Sequence, residues 1–183
     1  MDRPTDRRRR ELFDTLDRNR SGALDWDDFE RVVEAVRDER GLSTTHPRVR
    51  ALFAAMHDFW DELAARVDRD GDGNVTLDEW LSFHDGLALE VKELGRVPLW
   101  ALGMLQAIHA VLDIDGDGHV TLDEYAQWLR AVGSTHDPAE AFRHIDTNGD
   151  GYLAFDEMEQ LYAQWVCDES EAPGAFLFTG AAG

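Results

Sequence analysis

The sequence has a single cysteine, Cys167, so no disulfide can form within the chain. It also has few basic residues, 18 against 38 acidic ones, and its formal net charge at pH 7 is −20. Because nucleic acids and anionic membranes repel so acidic a chain, we expect it to bind neither DNA, RNA nor membranes. The sequence also lacks an apolar run of the roughly 20 residues that a membrane-spanning helix needs. No apolar run follows the basic N-terminal residues, which is unlike an export signal, so we expect a cytoplasmic protein.

Strong acidity is also typical of disordered chains, but this sequence is rich in residues that form a core. Hydrophobic residues make up 43% of it, and they include six Trp and nine Phe. A chain of 183 residues can form one large domain, or two small ones that share an interior. The composition therefore predicts a packed fold.

The acidic residues are concentrated in twelve-residue segments such as DRDGDGNVTLDE, residues 68–79. Carboxylates that lie a few ångströms apart repel one another, so such a cluster normally surrounds a cation. A Ca²⁺ ion takes six to eight oxygens at about 2.3–2.6 Å, and a loop of this length can wrap one. Positions 1, 3 and 5 then supply side-chain oxygens, position 7 its carbonyl, position 9 a side chain or a water, and position 12 a closing carboxylate. Gly73 stands at position 6, where the wrap turns sharply.

The same pattern occurs four times, at residues 17–28, 68–79, 113–124 and 146–157, which predicts four calcium-binding loops. The predicted ligands are Asp17, Asn19, Ser21, the Ala23 carbonyl, Asp25 and Asp28 in the first loop; Asp68, Asp70, Asp72, the Asn74 carbonyl, Thr76 and Glu79 in the second; Asp113, Asp115, Asp117, the His119 carbonyl, Thr121 and Glu124 in the third; and Asp146, Asn148, Asp150, the Tyr152 carbonyl and Glu157 in the fourth.

The first and fourth loops depart from the pattern. Ala154 at position 9 of the fourth loop has no side-chain oxygen, so a water molecule is expected to act there. In the first loop the closing residue is Asp28, which is one methylene shorter than glutamate and therefore closes the site less easily with both oxygens. We expect the smaller, six-coordinate Mg²⁺ ion to compete better at this loop. The alternative is an acidic turn that binds no ion, so the sequence predicts three to four calcium sites.

Each loop has an aliphatic residue at position 8, namely Leu24, Val75, Val120 and Leu153. Two such residues can pair through a short antiparallel strand, and the order along the chain favours pairing of the first loop with the second and of the third with the fourth. Apolar residues at three- and four-residue intervals before and after the loops predict eight amphipathic helices.

The predicted fold class is therefore all-α, with four helix–loop–helix units in two pairs that form one compact body. We place the N-terminal pair at residues 6–95, the C-terminal pair at residues 96–166 and a tail at residues 167–183.

Three further segments carry expectations about packing. Pro98–Leu112 contains no charged residue and is expected to lie buried between the two halves. The basic run Arg7–Arg10 is expected to form a solvated helix face or to pair with the protein's own acidic residues, and docking on an acidic partner is the less favoured alternative. Phe176, Leu177 and Phe178 are expected to fold back onto the helices, because burial of each such side chain is worth about 1.5–3 kcal/mol.

Four twelve-residue loops on one chain of this length resemble the calerythrin and sarcoplasmic calcium-binding protein group of the EF-hand superfamily. The resemblance covers roughly residues 6–166, and the segment AFRHIDTNGDGYLAFDEMEQL looks especially like the bacterial calerythrin branch. The resemblance implies a compact helical monomer that acts as an intracellular calcium buffer or transporter. The aspartate at the end of the first loop is the departure that puts the first site in doubt.

Two other functions stay open at this point. A calcium sensor opens a groove that is often rich in methionine, whereas this chain has only four methionines and many rigid aromatic residues, which favours a buffer. Target proteins leave no trace in the sequence. A luciferin-binding or photoprotein-like apolar ligand binder is the third alternative, with Trp100, His109, Tyr125 and Trp128 as candidate cavity residues. The favoured interpretation of these four is that they are ordinary core and edge residues. No nucleophile and base can be identified from spacing, so we expect no enzymatic activity.

Overall fold

The structure is a computed structural model that describes residues 3–167 and 173–179. Within these residues the chain forms eight α-helices, four short strands and one 3-10 helix, so the expected all-α fold with eight helices is confirmed. The helices are α1 (Pro4–Leu16), α2 (Trp26–Glu39), α3 (Pro47–Val67), α4 (Leu77–Leu94), α5 (Leu99–Leu112), α6 (Leu122–Ala131), α7 (Pro138–Ile145) and α8 (Phe155–Cys167). The strands are β1 (Ala23–Leu24), β2 (Val75–Thr76), β3 (His119–Thr121) and β4 (Tyr152–Ala154), and the 3-10 helix is Pro173–Phe176.

The strands form two separate antiparallel pairs. β1 pairs with β2 so that Leu24 lies opposite Val75, and β3 pairs with β4 so that Val120 lies opposite Leu153. All four side chains have no exposed surface, because they point from the loops into the core. The expected pairing of first with second and third with fourth loop is therefore confirmed. The division of the chain between residues 95 and 96 stays a prediction.

Proline and glycine mark several helix boundaries. α3 and α7 begin with Pro47 and Pro138, whose fixed φ suits the first turn of a helix. α4 ends at Gly95, which has a φ of 65° and so adopts the left-handed conformation that stops a helix. The two prolines fix where the entering helices of the second and fourth loops begin, and Gly95 fixes where the leaving helix of the second loop ends.

The uncharged helix α5 connects the two halves. It packs against α3 of the N-terminal half and against α6 and α8 of the C-terminal half, and Ala101 and Leu105 on its inner face are fully buried. The expected burial between the halves is confirmed for this face. The opposite face is open to solvent, where Gln106 is exposed and Leu99 is 70% exposed.

The buried side chains form one continuous cluster that extends from Phe13 in α1 to Phe178 near the C-terminus. α2 packs against α6 and α4 packs against α8, so both halves contribute to the same interior. None of the helices in the described ranges combines the length and the hydropathy that crossing a membrane requires.

The basic run Arg7–Arg10 lies on α1, and the expectation of a solvated face is wrong for its two middle residues. Arg8 and Arg9 are only 3% and 2% exposed. Arg9 lies 2.8 Å from a carboxylate oxygen of Asp85 and donates to the carbonyl of Val166 at 3.1 Å. Pairing with the protein's own acid, the other expectation, is therefore confirmed for Arg9. The carbonyls at the end of α8 attract such a cation because they carry the negative end of the helix dipole.

The C-terminal segment, residues 173–179, packs on α7 and α8. Leu177 and Phe178 are 3% and 7% exposed, and Trp128 donates from its indole nitrogen to the carbonyl of Phe178 at 3.2 Å. The expected return of this part of the tail onto the helices is confirmed. The remaining tail positions, 168–172 and 180–183, lie outside the described residues.

Gly174 is the point of closest approach between this segment and α8. A Cβ atom there would lie against the carbonyl oxygen of Leu161 and 3.0 Å from the backbone nitrogen of Trp165. The contact is made by backbone atoms, which cannot move aside as a flexible side chain can.

We expect Gly174→Ala to lower the free energy of unfolding by about 1–3 kcal/mol, because the new methyl group has no room between the 3-10 helix and α8. Gly86→Ala in α4, where a Cβ meets open space, is the matched control and should raise the free energy by about 0.5–1 kcal/mol. Urea unfolding at saturating calcium measures both variants. Equal stability of Gly174→Ala and the unchanged protein would contradict the packing described for this segment.

Candidate metal centres

Each of the four acidic loops lies between two helices. Its first residue directly follows the entering helix: Asp17 caps the end of α1, Asp68 that of α3, Asp113 that of α5 and Asp146 that of α7. The twelfth residue of each loop falls in the first turn of the leaving helix. The two ends of every loop are therefore fixed by helices.

The carboxylate at position 1 is oriented by backbone N–H groups. In the third loop, Asp113 accepts from Gly116 at 2.6 Å and from Gly118 at 2.9 Å. Asp68 and Asp146 accept in the same way from the glycines at positions 4 and 6 of their own loops. Gly116 and Gly118 have φ values of 79° and 90°, which glycine adopts without steric strain. The backbone thus holds this carboxylate in place.

The second and third loops each bring three carboxylates together. One oxygen from each of Asp68, Asp70 and Asp72 lies within 4.8 Å of the other two, and the same is true of positions 1, 3 and 5 of the third loop. Like charges at this spacing repel one another, and a set of hard oxygen donors suits Ca²⁺ or Mg²⁺. The residues present in these two loops therefore fit a divalent cation.

The closing glutamates of the same two loops belong to helix caps. The hydroxyl of Thr121 accepts from the N–H of Glu124, and the Glu124 carboxylate accepts from the N–H of Thr121 at 2.8 Å. Glu124 also accepts from the N–H of Ile114 at position 2, at 2.7 Å. Thr76 and Glu79 form the same reciprocal cap in the second loop. Each closing carboxylate is therefore turned back towards its loop.

Hydrogen bonds from the backbone favour the charged form of these carboxyl groups. The N–H of Thr76, followed by its hydroxyl, lowers the pKa of Glu79. Burial acts to raise the pKa of Asp113, but the N–H groups of Gly118 and Gly116 and the charge of Arg48 outweigh it and leave the pKa below its usual value. Both groups are charged at neutral pH, as metal ligands need to be.

The first loop differs in what its expected ligands already contact. Asp28 is fully buried, and its Oδ1 lies 3.0 Å from Nη1 of Arg31. The hydroxyl of Ser21 donates at 2.7 Å to the carbonyl of Ala23, the expected ligand at position 7. Position 4 is Arg20, with a φ of 56° that is uncommon for a residue other than glycine. The closing carboxylate of this loop is therefore held by a positively charged side chain, whereas those of Glu79 and Glu124 accept from backbone N–H groups and a threonine hydroxyl.

The fourth loop lacks the full cap because position 9 is Ala154. Only the N–H of Ala154 contributes, and it donates to Glu157 at 3.3 Å. The hydroxyl of Thr147 at position 2 donates to the other oxygen of Glu157, also at 3.3 Å. Glu157 is thus held from both ends of the loop, by longer contacts than those of Glu124.

Comparison with known families agrees with this geometry. A family model described as "EF-hand domain pair" matches residues 6–83, and one described as "EF hand" matches residues 110–129 and 139–162. Calerythrin from Saccharopolyspora erythraea is 32% identical over 158 residues, which are 82% of this chain and 85% of calerythrin. The chain belongs to the EF-hand family. It is a calcium-binding EF-hand protein related to calerythrin and to the sarcoplasmic calcium-binding proteins, as the sequence resemblance implied.

Two solved structures extend the comparison to the whole EF-hand fold. A calcium-binding protein from Streptomyces coelicolor is 30% identical to this chain, and its solved structure is described as the structural basis for prokaryotic calcium-mediated regulation. It matches with a TM-score of 0.76 over 88% of this chain and 97% of its own. The amphioxus sarcoplasmic calcium-binding protein is 20% identical and matches with a TM-score of 0.76 over 99% of this chain and 98% of its own, which shows the fold alone.

A small apolar cavity lies in the core of this EF-hand protein. Its volume is about 60 Å³, and its wall includes Trp80, His84, Trp128, Trp165 and Phe178. Of the four candidate cavity residues, only Trp128 lines this cavity. The other three are ordinary packing residues, as the favoured interpretation predicts: Trp100 lies under the guanidinium of Arg66, His109 packs on Phe155, and Tyr125 packs on Phe142 and donates to the carbonyl of Phe176.

His84 is a polar residue of this wall, which also includes Thr15 and Tyr162. Its side chain is 1% exposed, and Nδ1 donates to the carbonyl of Trp80 at 2.9 Å. Burial lowers the pKa of His84 to about 3, so the imidazole is neutral at physiological pH. His84 lies four residues after Trp80 and three before Leu87, so the helical spacing of the apolar residues predicts that it lies on the buried face of α4.

We expect Glu124→Gln to remove one calcium ion from the number bound, because the amide offers a single neutral oxygen where the carboxylate offers two charged ones. Glu79→Gln should do the same at the second loop. Asp123→Asn is the matched control, since it makes an equal charge change at an exposed position that is not an expected ligand. Titration calorimetry gives the numbers bound, and an unchanged count in Glu124→Gln would refute the assignment of position 12.

Proposed function

We propose that this protein is an intracellular calcium buffer or transporter that holds three to four ions in its EF-hand loops. The observation that carries the proposal is the covered apolar surface of the C-terminal pair. Phe178 lies in edge-to-face contact with Tyr162 at 5.9 Å and with Trp165 at 5.5 Å between ring centroids. A sensor would need this kind of surface free for a target, and here the protein's own segment 173–179 occupies it.

The methionines of the described residues support the same reading. Met56, Met104 and Met158 are 5%, 7% and 1% exposed. Sensor grooves use flexible methionine side chains at the surface to adapt to different targets. These three side chains are core residues instead, which favours storage over target recognition.

In the proposed sites the expected ligands of the second, third and fourth loops hold the ions. The helices on either side fix the two ends of each loop. The bound ion supplies the positive charge that the carboxylates lack. Four divalent ions would add eight positive charges and bring the formal net charge from −20 to −12. Ion binding should therefore stabilise the fold, because it relieves repulsion in the folded state only.

For the first loop we propose weaker calcium binding and better competition by Mg²⁺. Burial raises the pKa of Asp28, and the repulsion from Asp25 adds to this effect, while the N–H of Asp25 and the charge of Arg31 oppose it. An ion must displace Arg31 from the short closing carboxylate, which disfavours closure with both oxygens. A six-coordinate ion that needs one oxygen from Asp28 suits this arrangement better.

A calcium sensor is the second candidate function. The Streptomyces coelicolor relative, 30% identical, is described in terms of calcium-mediated regulation. The covering segment, residues 173–179, is short. In addition to the hydrogen bond from Trp128, it accepts one from the hydroxyl of Ser134 at the carbonyl of Thr179, at 2.6 Å. Release of this segment would expose the apolar surface of the C-terminal pair to a target protein.

The third alternative, a photoprotein-like ligand binder, is disfavoured by the size of the cavity. A volume of about 60 Å³ is less than half that of an engineered cavity of roughly 150 Å³ that binds benzene. A luciferin would need a much larger space. We therefore propose a non-catalytic, monomeric protein of the cytoplasm whose ligands are metal ions.

The buffer proposal is tested by 1-anilinonaphthalene-8-sulfonate fluorescence during calcium titration. We expect little increase in the full chain, because segment 173–179 covers the apolar surface with and without calcium. A variant truncated after residue 172 is the control and should show strong fluorescence. A strong calcium-dependent increase in the full chain would favour the sensor instead.

The first-loop proposal is tested by calorimetric calcium titration with and without millimolar Mg²⁺. We expect the unchanged protein to bind one calcium ion fewer when Mg²⁺ is present, and Asp28→Glu to restore that ion, because the longer side chain reaches the metal with both oxygens. Thermal unfolding checks that the variant folds. If the number of bound calcium ions changes neither with Mg²⁺ nor in Asp28→Glu, the proposal is contradicted.

A further inference from the structure

The second and third loops offer identical side-chain ligands, three aspartates, a threonine and a glutamate, so their sequences predict equal affinity. Their surroundings differ. The side-chain hydrogen bonds described for residues 68–79 stay within that loop. Both ends of the third loop, residues 113–124, are instead bonded to arginines of the N-terminal half.

Arg48 contacts the beginning of the third loop. It lies in the first turn of α3, and its Nη1 donates to the carbonyl of Asp113 and to that of Ile114 at 3.1 Å. Its other terminal nitrogen is so close to the loop that a Cβ on Gly116 would lie 3.1 Å from it. A guanidinium therefore lies directly beside position 1.

Arg40 contacts the last residue of the same loop and the residue just before the loop. It caps the end of α2, and its Nη2 donates to the carbonyl of Leu112 at 3.2 Å and to that of Glu124 at 3.3 Å. The side chain is partly buried, and a guanidinium keeps its charge throughout the physiological range. A second fixed positive charge thus lies beside position 12.

We propose that Arg40 and Arg48 lower the calcium affinity of the third loop below that of the second, so that two loops with the same ligands fill at different calcium concentrations. The inference rests on the proposed ligands of the third loop. Before an ion binds, both cations attract the loop carboxylates and stabilise the ion-free protein. An incoming divalent cation is repelled by the same charges, so the arginines favour the ion-free state.

Arg18 separates this charge effect from the simple joining of the two halves. It also belongs to the N-terminal half and donates to a carbonyl of the C-terminal half, that of Ala131 at 2.6 Å. Ala131 is the last residue of α6 and lies outside the third loop. Arg18→Gln therefore removes a contact between the halves without removing a charge beside the third loop.

The test uses NMR to follow the backbone amide signals of Gly73 and Gly118 in the nitrogen-15-labelled full chain. Calcium is titrated in the presence of a competing chelator. Both residues occupy position 6 and donate to the position-1 carboxylate of their loops, at 3.1 Å and 2.9 Å, so each reports its own site. In the unchanged protein we expect Gly73 to respond at lower free calcium than Gly118.

Arg48→Gln and Arg40→Gln should each raise the affinity reported by Gly118 about threefold to tenfold at low ionic strength, and leave that of Gly73 unchanged. Arg48→Lys and Arg40→Lys keep the charge and should stay within about twofold of the unchanged protein. The gain in affinity that the two glutamine variants show at Gly118 should shrink in about 1 M potassium chloride, where charges are screened over roughly 3 Å. Arg18→Gln should leave Gly118 unaffected.

A lower or unchanged affinity at Gly118 in both glutamine variants would overturn the inference and leave the proposed calcium sites intact. An effect of Arg18→Gln equal to that of Arg48→Gln would overturn it as well, since packing rather than charge would then be responsible. If Gly118 fails to respond to calcium while Gly73 responds, the assignment of the third loop fails together with the inference. Thermal unfolding of the chelated protein checks that each variant folds.

Discussion

Three carboxylates of the second loop lie within 4.8 Å of one another, and the chain has to hold them there against their mutual repulsion. It does so with neutral backbone groups. The N–H groups of Gly71 and Gly73 bind the carboxylate at position 1, and the N–H of Thr76 binds the one at position 12. These bonds fix the direction of each carboxylate without cancelling its charge, so the loop keeps both its shape and its attraction for a cation.

Much of this arrangement could be predicted from the sequence, because it depends on local spacing. The loops, their glycines and their flanking helices are all local, and the pairing through Leu24 and Val75 follows from a single aliphatic position repeated in each loop. The reciprocal caps of the second and third loops can also be predicted, because the sequence TLDE in each loop places a threonine three residues before a glutamate.

What the sequence could not reveal are the contacts between residues far apart in the chain. Arg48 reaches Asp113 across 65 positions, and Arg9 reaches Val166 across 157. A run of arginines is as compatible with a solvated face as with a buried one, because the acceptors are backbone carbonyls that every residue possesses. The cavity wall escaped prediction for the same reason, since Trp80, Trp165 and Phe178 meet only in the folded chain.

Arginine side chains also join the N-terminal half to the C-terminal half. Arg9, Arg18 and Arg40 each donate to a carbonyl at or near a helix end of the other half. Helix ends leave such carbonyls without partners inside the helix, and the planar guanidinium can serve two of them at once. A lysine has one ammonium group and is harder to place between two acceptors. The presence of a single lysine in the chain, Lys92, is in keeping with this use of arginine.

The antiparallel strands have a consequence for how ions are taken up. Val120 and Leu153 belong to different loops, yet they share one backbone ladder and have no exposed surface. When one loop of a pair becomes ordered around its ion, the ladder passes part of that order to the other loop, which then has less conformational entropy to lose. We therefore expect cooperative uptake within each pair, with a response to free calcium that is steeper than two independent sites would give.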